Sequence, residues 1–135
     1  MKVCIVVSNF YPKISSMLVR GSMLELKKNN IKNPKIITVP GTFEIPVVIS
    51  SKIKKYDAFI VLGCVIKGQT PHFHYICSTV INSLVNLSLK FNKPIGNGIL
   101  TCNNKKQAVT RANPNLKDKG GDAAKAAISL YKVIK

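Results

Sequence analysis

The chain is short of acid. Only five of its 135 residues carry a carboxylate side chain (Glu25, Glu44, Asp57, Asp118 and Asp122), against 21 Lys and Arg. So few, so scattered, they supply neither the paired acids of a glycoside hydrolase nor the mixed His–carboxylate set of a hard-metal site. Histidine is scarcer still, with His72 and His74 alone, and tryptophan is absent. No CxxC or Cys/His ligand spacing occurs, which removes a zinc site. No GxxxxGK[ST], GxGxxG or GxSxG occurs either, so nucleotide-loop and serine-hydrolase readings fall away. No apolar run reaches the ~18 residues of a membrane span. The opening MKVCIVVSNFYPK is too short an apolar stretch for a secretion signal and has no small-residue cleavage site. The expectation is a cytoplasmic protein, off the membrane and without a metal site.

What is present is apolar and basic. The hydrophobic fraction, 46%, is ordinary for a globular protein. The net charge is +16, and all but two of the basic residues are lysines, the exceptions being Arg20 and Arg111. Lysine pairs at 27–28, 54–55 and 105–106 fall near expected helix ends. No nucleic-acid motif accompanies them. A solvated basic surface therefore fits better than a nucleic-acid interface, although the charge still attracts small anions. The four cysteines, Cys4, Cys64, Cys77 and Cys102, read as buried free thiols in a reducing compartment.

Apolar β-type runs alternate with segments of helical spacing along residues 1–135, read as one domain. Strands are predicted at Val3–Val7, Pro34–Val39, Ala58–Ile66 and Ile95–Thr101. Helices are predicted at Ile14–Asn30, Phe43–Lys55, His72–Asn92, Asn103–Arg111 and Asp118–Ile134, with Pro46 tolerated only near a first turn. The order βαβαβαβαα implies an α/β fold: a four-stranded parallel sheet between helical layers, a flavodoxin-like three-layer α/β/α sandwich. Such sheets bind ligands beyond the carboxyl ends of their strands. The strand-to-helix junctions are therefore where chemistry is expected.

The third junction has the richest chemistry. Gly68, Gln69 and Thr70 would offer backbone N–H groups and a hydroxyl to an anion at a helix N-terminus, with Lys67 beside them. His72 falls in the first helical turn, where the dipole disfavours its protonated form. It reads either as a general base and proton shuttle or as a local cap. His74 points to another face and reads as surface or interface packing. At the second junction, Phe43 reads as a ring contact or as core. Glu44 reads as a ligand for a heterocycle N–H or as an acid favourably placed at a helix start.

Several segments at matching spacing resemble the lumazine synthase family. They are IVVSNFY (5–11), VPGTFEIP (39–46), LGCVIKGQTPHFHYI (62–76), PIGNGILT (94–101), QAVTRA (107–112) and DKGGDAA (118–124). The resemblance covers nearly the whole chain. It implies condensation of 5-amino-6-(D-ribitylamino)uracil with 3,4-dihydroxy-2-butanone 4-phosphate, without cofactor, in a homopentamer whose sites lie between subunits. Twelve pentamers sometimes close into a 60-subunit icosahedral shell. By position, His72 matches the catalytic histidine. Phe10, Thr42, Phe43, Glu44, Val65, Ile66 and Asn97 match the pyrimidine and ribityl slot. Gly68, Gln69, Thr70, Arg111 and Lys119 match the phosphate site. Family geometry implies that Asn97, Arg111 and Lys119 come from the adjacent chain. Four positions depart from the pattern: Asn9 and Tyr11, where Asn9-Phe10-Tyr11 stands for Arg-Phe-Asn, Gln69, which stands for an acid, and His74, which stands for Asp or Glu. Retention of His72 and Arg111 speaks against a non-catalytic flavin- or lumazine-binding relative.

Overall fold

A computed structural model describes residues 1–135. The first strand, β1 (Val3–Ser8), is buried at every position. It leads through a short turn into α1 (Pro12–Lys28), where Pro12 occupies the first turn and loses no helical hydrogen bond. Then come β2 (Lys35–Val39), a 3-10 turn at Thr42–Glu44, and α2 (Ile45–Lys52). They are followed by β3 (Ala58–Ile66), α3 (His72–Phe91), β4 (Ile95–Cys102), α4 (Lys105–Ala112) and α5 (Lys119–Ile134).

All pairings are parallel and the sheet order is β2-β1-β3-β4. Strand alternation sorts the core into two halves. Val3, Ile5, Val7, Ile60 and Leu62 face α1, α4 and α5, and meet Ile14, Leu18, Ala108, Ala124 and Ile128. Cys4, Val6, Phe59 and Val61 face α2 and α3, and meet Ile45, Ile49, Val80 and Leu84. The flavodoxin-like three-layer arrangement expected from the element order is present.

The structure corrects the second predicted helix. The segment expected as one helix from Phe43 to Lys55 is a 3-10 turn followed by α2 from Ile45. Pro46 lacks an N–H and sits in the first turn of α2, so the α-helical ladder cannot extend back across it. Asn103 and Asn104 are not helical: Asn104 caps α4, its Oδ1 accepting from the Gln107 N–H at 2.9 Å. Asp118 likewise caps α5, accepting from the Gly121 N–H at 3.2 Å. Cys77 is not buried. It is half-exposed on α3, while Cys4, Cys64 and Cys102 are buried as expected, and all four are free thiols.

Candidate active site

The chain reverses direction across the sheet between β1 and β3. The connection from β1 runs to β2 on one side, and the one from β3 runs to β4 on the other. The loops leaving the carboxyl ends of β1 and β3 therefore diverge and leave a crevice, the position where open α/β sheets bind ligands. A cavity of about 260 Å³ lies there. Phe10 and Tyr11 line it from the end of β1, Gly41, Thr42 and Phe43 from the turn after β2, Cys64, Val65 and Ile66 from β3, and His72 and Ile76 from α3.

Six of the residues singled out in the sequence are thus brought together: Phe10, Thr42, Phe43, Val65, Ile66 and His72. Phe10 and Phe43 keep 67% and 59% of their surface exposed, so Phe43 is not core and two aromatic faces are open to a planar ligand. Phe10 is braced edge-to-face by Tyr11, ring centroids 5.0 Å apart. Thr42 is buried beneath them, where Gly63 permits close approach: a Cβ there would stand 2.7 Å from both Thr42 Cγ2 and Ser8 Oγ.

Glu44 takes the helix-start role. Its Oε1 accepts from the Gly41 N–H at 2.9 Å, and it lines a neighbouring groove with Val47, Thr79 and Ser83 rather than the cavity itself. Gly68, Gln69 and Thr70 form an exposed turn before α3 whose backbone N–H groups enter no internal hydrogen bond. The Thr70 hydroxyl sits 3.4 Å from the His72 N–H, a long capping contact. The free N–H groups and the start of α3 together make an open anion cradle beside the cavity. His74 is exposed and packs edge-to-face on Phe73, away from the cavity.

Three predicted residues do not join this group within the chain. Asn97 lies exposed on β4, its Oδ1 accepting from the Ile99 N–H at 3.0 Å. Arg111, in the last turn of α4, directs Nη1 to Cys102 Sγ at 3.3 Å. Lys119, at the start of α5, pairs with Asp122 at 3.6 Å on the surface.

Gly41, Cys64 and Ile76 line the cavity without having been assigned to it, as does Tyr11, which the sequence marked only as a departure from the family pattern. Ile76 had a sequence signal, since it follows His72 by one helical turn. Cys64 read as core, and it is core: burial, then the neighbouring Cys102 and Cys77 thiols, push its thiol up to about 12. It also forms part of the cavity wall, two residues before the end of β3.

The profile of the 6,7-dimethyl-8-ribityllumazine synthase family matches residues 1–135. Among similar curated proteins, one from Zymomonas mobilis is 43% identical over 136 aligned positions, covering 99% of this chain and 96% of its own length. One from Mycobacterium sp. (strain KMS) is 41% identical, covering 96% of this chain and 82% of its own length. One from Rhodopseudomonas palustris is 40% identical, covering 98% and 85%. The first two are named 6,7-dimethyl-8-ribityllumazine synthase and the third 6,7-dimethyl-8-ribityllumazine synthase 1. With a family match from the first residue to the last, on a sheet whose crevice gathers His72 and two open aromatic rings, the chain belongs to the 6,7-dimethyl-8-ribityllumazine synthase family.

Proposed function

We propose that this chain condenses 5-amino-6-(D-ribitylamino)uracil with 3,4-dihydroxy-2-butanone 4-phosphate to give 6,7-dimethyl-8-ribityllumazine. Water and inorganic phosphate leave, and the product is the penultimate compound of riboflavin biosynthesis. The observation that carries this reading is the placement of His72 in one cavity with Phe10, next to the anion cradle. The pyrimidine stacks on Phe10, with Thr42, Phe43, Val65 and Ile66 shaping the slot and Glu44 at its rim. Gly68, Gln69 and Thr70 hold the phosphate through N–H groups and a hydroxyl.

The chemistry needs a proton carrier at each stage. The pyrimidine 5-amino group attacks the ketone carbonyl, and loss of water gives an imine. A carbon-bound proton is removed and the C–O bond to phosphate breaks, its electron pair leaving with the phosphate. The resulting enol becomes a ketone, the ribityl-bearing nitrogen attacks it, and a second water departs. His72 accepts and returns these protons. No step needs metal or cofactor.

The assembly follows the same reading. Asn97, Arg111 and Lys119 reach a site as contributions from an adjacent subunit of a homopentamer. Apolar side chains left uncovered on α2 and α3 (Val47, Tyr75, Val85 and Leu89) support subunit packing on that side. A pentamer is the minimum in this reading, and a 60-subunit shell would be built from the same unit. The free thiols fit a reducing, cytoplasmic setting.

The test is lumazine formation from the two substrates, followed by absorbance against a protein-free blank. His72→Ala lowers kcat by about 10²-fold, the low end for a placed acid–base group, with the fold unchanged by circular dichroism. A wild-type rate equal to the blank, from folded protein, overturns the assignment.

A further inference from the structure

Arg111 is held in an unusual way. A guanidinium usually meets a carboxylate, yet the chain's two ion pairs are Lys119–Asp122 and Lys125–Glu25, and neither involves Arg111. Its Nη1 donates instead to Cys102 Sγ at 3.3 Å and grazes the Thr101 carbonyl at 3.5 Å. Both contacts are neutral. They fix one corner of the fork and leave the positive charge unspent. The opposite edge, Nε–H and Nη2–H, stays free for a bidentate anion.

Cys102 suits this task by its setting. It ends β4, is 1% exposed, and packs in the core, so its sulfur is as fixed as the sheet. Directly beside it the Lys67 N–H donates to the Cys102 carbonyl at 2.8 Å, which ties the end of β4 to the start of the cradle turn. Cys102 shares its core cluster with Cys64, which forms part of the cavity wall. An Asp at position 102 would orient Arg111 equally well but would neutralise it. A thiol orients it and leaves the charge for the ligand.

We propose that Cys102 is a positioning residue: its sulfur aims the Nε/Nη2 edge of Arg111 at the substrate phosphate. This rests on the reading of Arg111 as a phosphate ligand. In that reading Arg111 serves the neighbouring subunit's site, so Cys102 orients a ligand that acts across the subunit boundary.

The test compares Cys102→Val, which fills the space without a comparable acceptor, with Cys102→Ser, which keeps one. Each is assayed for the KM of both substrates, for kcat, and for competitive inhibition by inorganic phosphate. Cys102→Val raises the KM of the phosphate substrate and the inhibition constant of phosphate roughly three- to tenfold. The KM of the pyrimidine and kcat move less than twofold, and Cys102→Ser restores most of the loss. In an Arg111→Lys background the Cys102→Val effect disappears, as coupling through one contact requires. Should Cys102→Val fail to fold, Cys102→Ala carries the same comparison. Equal changes in all parameters, or no change in the phosphate terms while Arg111→Lys raises them, overturn the role of Cys102 alone. No phosphate effect from Arg111→Lys overturns the phosphate reading of Arg111, and the proposal with it.

Discussion

Cys64 is filler by its sequence and holds two positions in the structure, core and cavity wall. Its thiol is pushed up to about 12 by burial and by the neighbouring thiols, and burial pushes Cys4 up to about 11 against the pull of Lys52 and Lys35. Below pH 9 both thiols keep their protons folded or unfolded, and they add no pH dependence to stability. Above it the unfolded chain releases protons that the folded chain retains, so unfolding is favoured as pH rises towards 11 and 12. Melting temperature should fall steadily above about pH 9, and Cys64→Ala should flatten that slope even though it lowers the plateau. Thermal melts in a buffer series from pH 7 to 11 with a reducing agent check this. At this scale the sequence was informative where chemistry is local. His72 was legible because a strand-to-helix junction is recognisable from breakers. The partnership of Cys102 with Arg111 was not, because no spacing rule tells which strand end a helix will fold back on.

Element boundaries follow from capping chemistry that is only half visible in a string of letters. The continuous apolar run of Val3 to Val7 and the helical spacing from Ile14 onward identified β1 and α1. The turn at Thr42–Glu44 did not show itself, since a 3-10 turn shares its composition with a helix start. Glycines in α5 show how packing overrides propensity. Ala is the better helix former by about 1 kcal/mol, so Gly120→Ala should help an isolated helix. Here the added Cβ would stand 2.1 Å from the Leu18 carbonyl oxygen of α1, and backbone cannot move aside cheaply. Gly120→Ala should therefore destabilise by about 3 kcal/mol, near the upper end of ordinary overpacking. Gly68→Ala, with nothing within 4 Å, should cost far less. Urea midpoints of the two variants against wild type make the comparison, and a neutral Gly120→Ala would show that α1 and α5 are loosely seated.

Across the whole molecule the charge is neither confined to the cavity nor random. Lys67 flanks the anion cradle, and Lys13, Lys105 and Lys106 begin α1 and α4 at the carboxyl end of the sheet. Lys2, Lys35, Lys54 and Lys55 crowd the opposite end, where Asp57 is already bonded to the Lys2 N–H at 2.6 Å. With net charge +16, the field attracts a phosphorylated substrate and is indifferent to a neutral pyrimidine. Between about 0.05 and 0.5 M NaCl, kcat/KM for the phosphate substrate should fall severalfold while that for the pyrimidine changes little. Initial rates with one substrate saturating and the other limiting separate the two. The sheet order was legible only as a class, since element order predicts a parallel sheet but does not rank its strands. Within the single chain Asn97 and Lys119 are engaged locally, by the Ile99 N–H and by Asp122.

The order β2-β1-β3-β4 also governs when the site can exist. The third strand enters beside the first, across 55 residues of chain, with Val3 opposite Ala58 and Val7 opposite Leu62. Phe10 and His72 therefore meet only after one of the longest loop closures in the fold, which topology makes slow. On a ribosome, the cavity cannot form until α3 has emerged. Affinity for a ligand of the crevice is then acquired only once β3 and α3 have joined β1, and a ligand that fits it reports that closure rather than the mere presence of the first two strands.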